Sequence, residues 1–273
     1  MFFEEHAKLL SEFARVSQAA GARADYVQGG GGNTSVKLPG GLMAIKASGF
    51  CLSDIRPDKA YAVLDGADLR NFYLTTEPSE LADVEKEGSA RAKADIRHID
   101  GLADLRPSVE AGFHSILKTF VVHTHSVYAN LAACSTTCRP IAAQAFAGAN
   151  YTWGWVPYTD PGANLTFAIR DELRRVEAET GKAPSVILMQ NHGIIVHDDD
   201  PDTALAIHTD ANERLARMFG LSGTSFPKIA VREIAAGIYA ADVPYLAEQF
   251  RTGGYTQEFL MTQPLYPDQM VFL

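Results

Sequence analysis

The sequence predicts a mixed α/β domain in which a sheet is covered by helices, and three observations predict it. Two apolar runs of strand length, Phe120-Val121-Val122 and Val186-Ile187-Leu188-Met189, each deliver a histidine-bearing segment. Apolar side chains recur at helical spacing through residues 2–20, 165–179 and 203–219. No internal repeat or low-complexity linker separates these segments, so residues 1–273 are expected to form one domain.

The elements follow in chain order. Residues 2–20 place Phe3, Leu9, Leu10, Phe13 and Val16 on one helical face, with Gly21 as the stop. A run of four glycines, Gly29 to Gly32, leads through Asn33-Thr34-Ser35 into strands at 36–38 and 42–45 around the turn Pro39-Gly40-Gly41. The glycines therefore enter a hairpin, not a helix, which excludes a dinucleotide fingerprint. Residues 76–98, rich in Glu, Lys, Arg and Ala, predict an exposed, solvated helix within an insertion at 76–105. A helix opens at Pro107-Ser108 and runs through Lys118, with Ser108 as its N-cap and Glu110 in its first turn. The strand to His123 follows, then a small-residue helix at 127–133. Residues 151–160 are aromatic and extended. Helices at 165–179, stopped by Gly181, and at 203–219 flank the second histidine strand. Residues 220–273 form a C-terminal extension whose end, from Gly253, reads as extended chain.

Composition excludes several functions. A hydrophobic content of 47% and a charged content of 21% describe a globular protein able to bury a core. The net charge of −9 and the lack of a basic stripe argue against nucleic acid. No apolar stretch reaches membrane-spanning length. The Met-Phe-Phe-Glu-Glu start lacks the regions of a signal peptide, and the three cysteines are sparse and odd in number; both point to the cytoplasm.

Chemistry concentrates at the histidines. In a strand, residues i and i+2 share a face, so His123 and His125 aim two imidazoles at one point with Thr124 turned away. Asn191-His192-Gly193, where backbone leaves the second apolar run, offers a third. Three protein ligands and an open position are the arrangement of a catalytic zinc. Glu110, the Lys46-Ala47-Ser48-Gly49 turn and Asn33 beside the glycines complete the set of candidate residues.

These motifs, in this order, resemble the zinc-dependent class II aldolase/adducin superfamily. They stand as Gly-Gly-Asn33-Thr34-Ser35, Lys46-Ala47-Ser48-Gly49, Pro107-Ser108-Val109-Glu110 with His114 one turn on, His123-Thr124-His125-Ser126 and Asn191-His192-Gly193. The resemblance spans residues 1 to about 220, and the 76–105 segment and the tail look most like the aldolase portion of rhamnulose-phosphate aldolase–dehydrogenase fusions. It implies a single-domain, three-layer αβα fold with a central, mainly antiparallel sheet.

The resemblance also implies roles. His123, His125 and His192 hold Zn²⁺, with other divalent transition metals as substitutes. The metal acts as a Lewis acid toward a ketose or ketose phosphate that is cleaved to a dihydroxyacetone-type fragment and an aldehyde. Glu110 is the acid/base, a role that suits a carboxyl raised toward neutral by burial and substrate. His114 is a supporting or packing residue. Asn33, Thr34, Lys46, Ser48, Gly49 and Ser108 line the substrate and phosphate pocket. Val109 departs from the pattern, because sugar-phosphate enzymes often carry a second serine there. Tyr255 and Tyr266 are candidate proton donors, as are Tyr158 and Tyr73. The implied assembly is a homotetramer acting on a small sugar, with no nucleic-acid or membrane partner. A pentulose-phosphate 4-epimerase, for which Lys46 and the His-Thr-His-Ser run speak and Glu110 does not, is the alternative enzyme. A dehydratase or decarboxylase of the same superfamily is another. A non-catalytic scaffold like the adducin head is the alternative outside enzymes.

Overall fold

Eight strands order the first 220 residues. In the computed structural model, which describes residues 1–28, 30–221 and 229–263, these are β1 (Asn33–Leu38), β2 (Leu42–Lys46), β3 (Tyr61–Asp65), β4 (Ile96–Arg97), β5 (Phe120–Thr124), β6 (Trp153–Val156), β7 (Val186–Met189) and β8 (Gly193–Asp198). They form one sheet in the order β4-β3-β2-β1-β5-β8-β7-β6. Every neighbouring pair is antiparallel except β6 with β7. The helices of this unit are α1 (Phe2–Glu5), α2 (Ala7–Gly21), α3 (Gly66–Thr75), α4 (Val84–Ala94), α5 (Ala111–Ile116), α6 (Val127–Ala133), α7 (Cys138–Ala145), α8 (Ala163–Thr180) and α9 (Pro201–Met218).

Alternation along the strands divides the core into two layers, one on each side of the sheet. Val121 joins Met43, Ile45, Phe113, Phe167, Ile187 and Ile195 on the side covered by α3, α5 and α8. Phe120 and Val122 join Leu10, Phe13, Val36, Tyr61 and Ala204 on the side covered by α2 and α9. The three-layer αβα architecture with a mainly antiparallel sheet is the one the sequence predicts. β5 lies in mid-sheet, flanked by β1 and β8, and all five of its residues are buried.

A second unit runs from Leu221, where the body of the chain meets its C-terminal extension. It contains a hairpin of β9 (Ala230–Ala235) and β10 (Ile238–Asp242), then α10 (Pro244–Arg251) and α11 (Gln257–Thr262). The extended reading of the tail is corrected at 257–262, where Thr256 accepts a hydrogen bond from the Phe259 amide and starts a helical turn.

Local readings differ from the structure at four further places. The N-terminal helix breaks at His6. The strand expected at 36–38 begins at Asn33, so Asn-Thr-Ser belongs to the sheet. The helix expected to open at Ser108 and run through Lys118 spans Ala111–Ile116, with Glu110 at its N-cap position. Ser108 is diverted because its hydroxyl accepts from the Asn33 side chain and the Glu110 amide. Finally, α4 is not solvated all round. Its Gly88 is buried and approaches so closely that a Cβ there would lie 2.4 Å from the Cβ of Ala163. Glu85 accepts from the Ala163 and Asn164 amides at 2.9 and 2.8 Å, which satisfies donors at the start of α8.

Candidate metal centre

One end of the sheet collects the candidate residues, and topology is the reason. Antiparallel pairing puts the start of β1, the ends of β2, β5 and β7, and the start of β8 at the same end. Asn33 lies directly across from His123, which lies across from Ile195. His125 follows β5 by one residue on the same face as His123. His192 sits in the tight connection from β7 to β8, where Met189 pairs with Gly193 and Asn191 takes a left-handed φ of 53°. Gly193 is required by proximity, because a Cβ there would lie 2.5 Å from the Thr124 carbonyl oxygen. Gly32 meets the other side of the same strand. Its φ is +69°, and a Cβ would lie 2.6 Å from the His123 carbonyl oxygen.

The three imidazoles converge. One ring nitrogen of each of His123, His125 and His192 lies within 4.8 Å of the other two. All three residues are buried. His123 Nδ1 donates to the Ile194 carbonyl at 3.0 Å, which leaves its Nε2 as the unprotonated nitrogen. That bare Nε2 lies 3.1 Å from His125 Nε2 and 3.5 Å from Glu110 Oε2. Glu110 Oε1 lies 3.1 Å from His192 Nε2. Lone pairs and a carboxylate gathered this closely out of water are stable around a cation. Three imidazole nitrogens with a carboxylate beside them suit a divalent transition metal of the zinc type.

The electrostatics agree. Burial drives the His123 pKa down to about 3, with Glu110 opposing and His125 and His192 adding to the fall, so the ring stays neutral at pH 7. Burial pushes Glu110 up, but the imidazoles of His123, His192 and His125 outweigh it and hold the carboxyl well below its ordinary range. The rise expected of Glu110 is one that burial and substrate produce together; facing the three rings, the carboxyl lies below its ordinary range.

A chain of hydrogen bonds aims Glu110. Ser35 Oγ bonds His114 Nδ1 at 2.7 Å, and His114 Nε2 bonds Asn33 Oδ1. The Asn33 amide then donates to Glu110 Oε2 at 2.5 Å and to Ser108 Oγ at 2.9 Å. His114 is fully buried, and burial together with the Lys37 charge keeps it neutral, able to donate from one nitrogen and accept at the other. The i,i+4 spacing from Glu110 is the sequence signal for His114; its partner Ser35 carries none.

The remaining candidates separate. Ser48 and Lys46 join the same end of the sheet: Ser48 Oγ donates to the Pro107 carbonyl at 3.1 Å, and Lys46 Nζ donates to the carbonyls of Gly30 and Phe50 at 3.1 and 2.7 Å. Gly49 turns this loop with a φ of +87°. Thr34 points to the opposite face, where its hydroxyl bonds Ser17 at 2.6 Å, so its side chain is not brought to the histidines. Val109 is 65% exposed between Ser108 and Glu110. Tyr73 is buried against Phe72 and Phe167, and Tyr158 donates to Asp160 at 2.8 Å. Tyr255 belongs to the second unit, stacked on Phe259, and Tyr266 lies outside the described residues.

The family described as the class II aldolase and adducin N-terminal domain matches residues 11–219, and the chain belongs to that family. Solved structures share the fold. The N-terminal class II aldolase domain of a conserved protein from Thermoplasma acidophilum is similar at 20% identity and a TM-score of 0.63, over 77% of this chain and 93% of that one. YgbL from Escherichia coli, a candidate aldolase/epimerase/decarboxylase, is similar at 20% identity and a TM-score of 0.54, over 84% and 95%. An aldolase II superfamily protein from Pseudomonas syringae is similar at 16% identity and a TM-score of 0.54, over 95% and 94%. No curated protein matches the chain.

Proposed function

We propose that the chain is a metal-dependent carbon–carbon lyase that cleaves a ketose or ketose phosphate into a dihydroxyacetone-type fragment and an aldehyde. The observation that carries this reading is the cluster of three buried imidazoles with the Glu110 carboxylate 3.1 Å from His192 and 3.5 Å from His123. His123, His125 and His192 would hold the metal, with zinc as the assigned ion. A divalent ion there supplies Lewis-acid polarisation of a carbonyl oxygen.

The chain's own residues supply the rest. Glu110, ionised and free of the solvent, accepts a proton from the substrate hydroxyl beside the bond that breaks, and returns one to the carbon fragment. Asn33 holds Oε2 of that carboxylate, so Oε1 faces the histidines. Ser108, Ser48, Gly49, Lys46 and the backbone of Asn33 and Thr34 form the proposed substrate pocket. Val109 leaves one hydroxyl donor fewer for a phosphate, which extends the substrate range to unphosphorylated or carboxylated sugars. Tyr255 and Tyr266 are the proposed donors that relay this same proton, giving one to the leaving fragment and regaining it from Glu110. Assembly as a homotetramer and a cytoplasmic location belong to the same reading. Among the described residues no helix is long and apolar enough to cross a membrane.

A cleavage screen over ketose 1-phosphates, pentulose phosphates and sugar acids, with added Zn²⁺, Mn²⁺ or Co²⁺, tests the proposal. The expected result is release of an aldehyde that stops on chelation. An epimerised product without free aldehyde replaces the aldolase by the 4-epimerase, and a protein that binds no divalent metal is a scaffold.

A further inference from the structure

A cavity of about 620 Å³ opens at the end of the sheet opposite the histidines. It lies among the end of β1, the start of β2, the end of β8 and the last residues of α5, entirely within the first unit. Along β1, Lys37 is four residues from Asn33, roughly 13 Å at strand rise, so the cavity is separate from the candidate metal centre. The volume is that of a small-molecule pocket.

Its lining is uneven in charge. Leu38, Leu42, Ile116 and Leu117 supply apolar wall, while five basic side chains face two carboxylates, Glu177 and Asp199. Asp199 is engaged, accepting from the Thr119 amide and hydroxyl. Two of the basic groups have no carboxylate partner among the described residues. Lys37 donates to the His114 carbonyl, and Arg70 donates to the Ser115 carbonyl at 3.2 Å. Burial, and after it the Arg70 charge, holds Lys37 well below the ordinary lysine range against the pull of Asp199. An anion in the cavity would relieve that repulsion.

A second observation is independent of charge. His197, on β8, lines the same cavity and is 3% exposed; the Pro184 carbonyl faces its ring, but neither ring nitrogen reaches a partner in hydrogen-bond geometry. Native proteins rarely leave a buried imidazole with both nitrogens unmet, because each unmet group forfeits its hydrogen bond to water. A ligand with an acid group meets all three: it accepts from an imidazole N–H, from Arg70 and from Lys37, with its apolar body against the leucines.

We propose that this cavity is a second ligand site, built for a small organic anion with an apolar body. The acid is a carboxylate or a phosphate, which share the recognition chemistry.

Calorimetric titration of the full chain after EDTA treatment tests this, with benzoate and phenyl phosphate as probes and benzyl alcohol as the uncharged analogue. At least one acid should bind at one site per chain, at least ten-fold more tightly than benzyl alcohol; the tighter acid identifies the source of the anion. Arg70 is exposed, so its replacement leaves the core intact. Arg70→Met and His197→Phe should each weaken binding about ten-fold or more, Arg70→Lys should retain most of it, and His192→Ala should leave it unchanged. Absence of binding by both acids overturns the proposal. Binding insensitive to Arg70→Met but lost in His192→Ala overturns it too, since the anion would then sit at the metal centre.

Discussion

At the scale of single residues, the proposed mechanism separates holding a cation from moving a proton. Glu110 shares its carboxylate between Asn33 and the histidines. Glu110→Gln keeps the shape and a neutral oxygen but removes the base. Metal content should stay at the wild-type level while turnover falls about 10²–10⁴-fold; a variant with near wild-type turnover removes Glu110 from the mechanism. His125→Ala takes one nitrogen from the cluster without touching the bond from His123 to Ile194. Zinc occupancy after dialysis should drop while the urea unfolding midpoint of the metal-free protein moves little. A collapse of that midpoint would assign His125 to the fold instead. The pairing of the clustered histidines was legible because strand periodicity alone puts 123 and 125 on one side. The task of His114 was not, because what it does depends on Ser35 and Asn33, residues about 80 positions away that only sheet pairing brings to it.

Elements position these residues through close backbone approach. The connection carrying His192 lies against β5, and Gly193 is where the two chains touch. Gly193→Ala adds a methyl 2.5 Å from the Thr124 oxygen. One strand must move, at a cost of about 1–3 kcal/mol, and His192 moves with it. The expected outcome is a lowered urea midpoint together with weaker metal retention. A variant as stable as wild type and fully metal-loaded would show that β8 has room there. Periodicity identified β5, β7, α6 and α8 because their patterns are long or uniformly apolar. It missed α3, whose start is set by the Asp65 carboxylate accepting from the Asp68 amide after a buried strand. It missed β4, because two residues carry no period and only pairing with β3 defines them. The chain turns between Cys134, which follows α6, and Cys138, which begins α7.

At the scale of the whole molecule, the fold buries titratable rings outside the histidine cluster, and this sets its response to acid. His208 on α9 is 1% exposed and bonds Thr124 Oγ1 at 2.7 Å; burial, then the Arg23 charge, brings its pKa down to about 3, with Asp25 opposing. His197 is brought to about 3 by burial and by Lys37 and Lys118. In the unfolded chain each titrates near 6.5. A folded value below the unfolded one means that the unfolded state binds more protons in between. The stability these rings contribute is therefore complete above about pH 6.5 and is lost as pH falls toward 3, at up to about 1.4 kcal/mol per pH unit for each ring. Asp198 and Asp199, held below the ordinary carboxylate value of 3.8, lose their contribution only at lower pH, so neither enters a comparison of pH 7.5 with pH 5. With metal removed by EDTA, the wild-type unfolding free energy should fall by about 2 kcal/mol for each of His197 and His208 between those two values. His208→Gln keeps a polar partner for Thr124 but carries no proton that titrates. Whatever its stability at pH 7.5, its loss on going to pH 5 should be smaller than that of wild type by about 2 kcal/mol. Equal losses in the two proteins would mean that His208 is protonated in the folded state and that the layer between β5 and α9 admits charge.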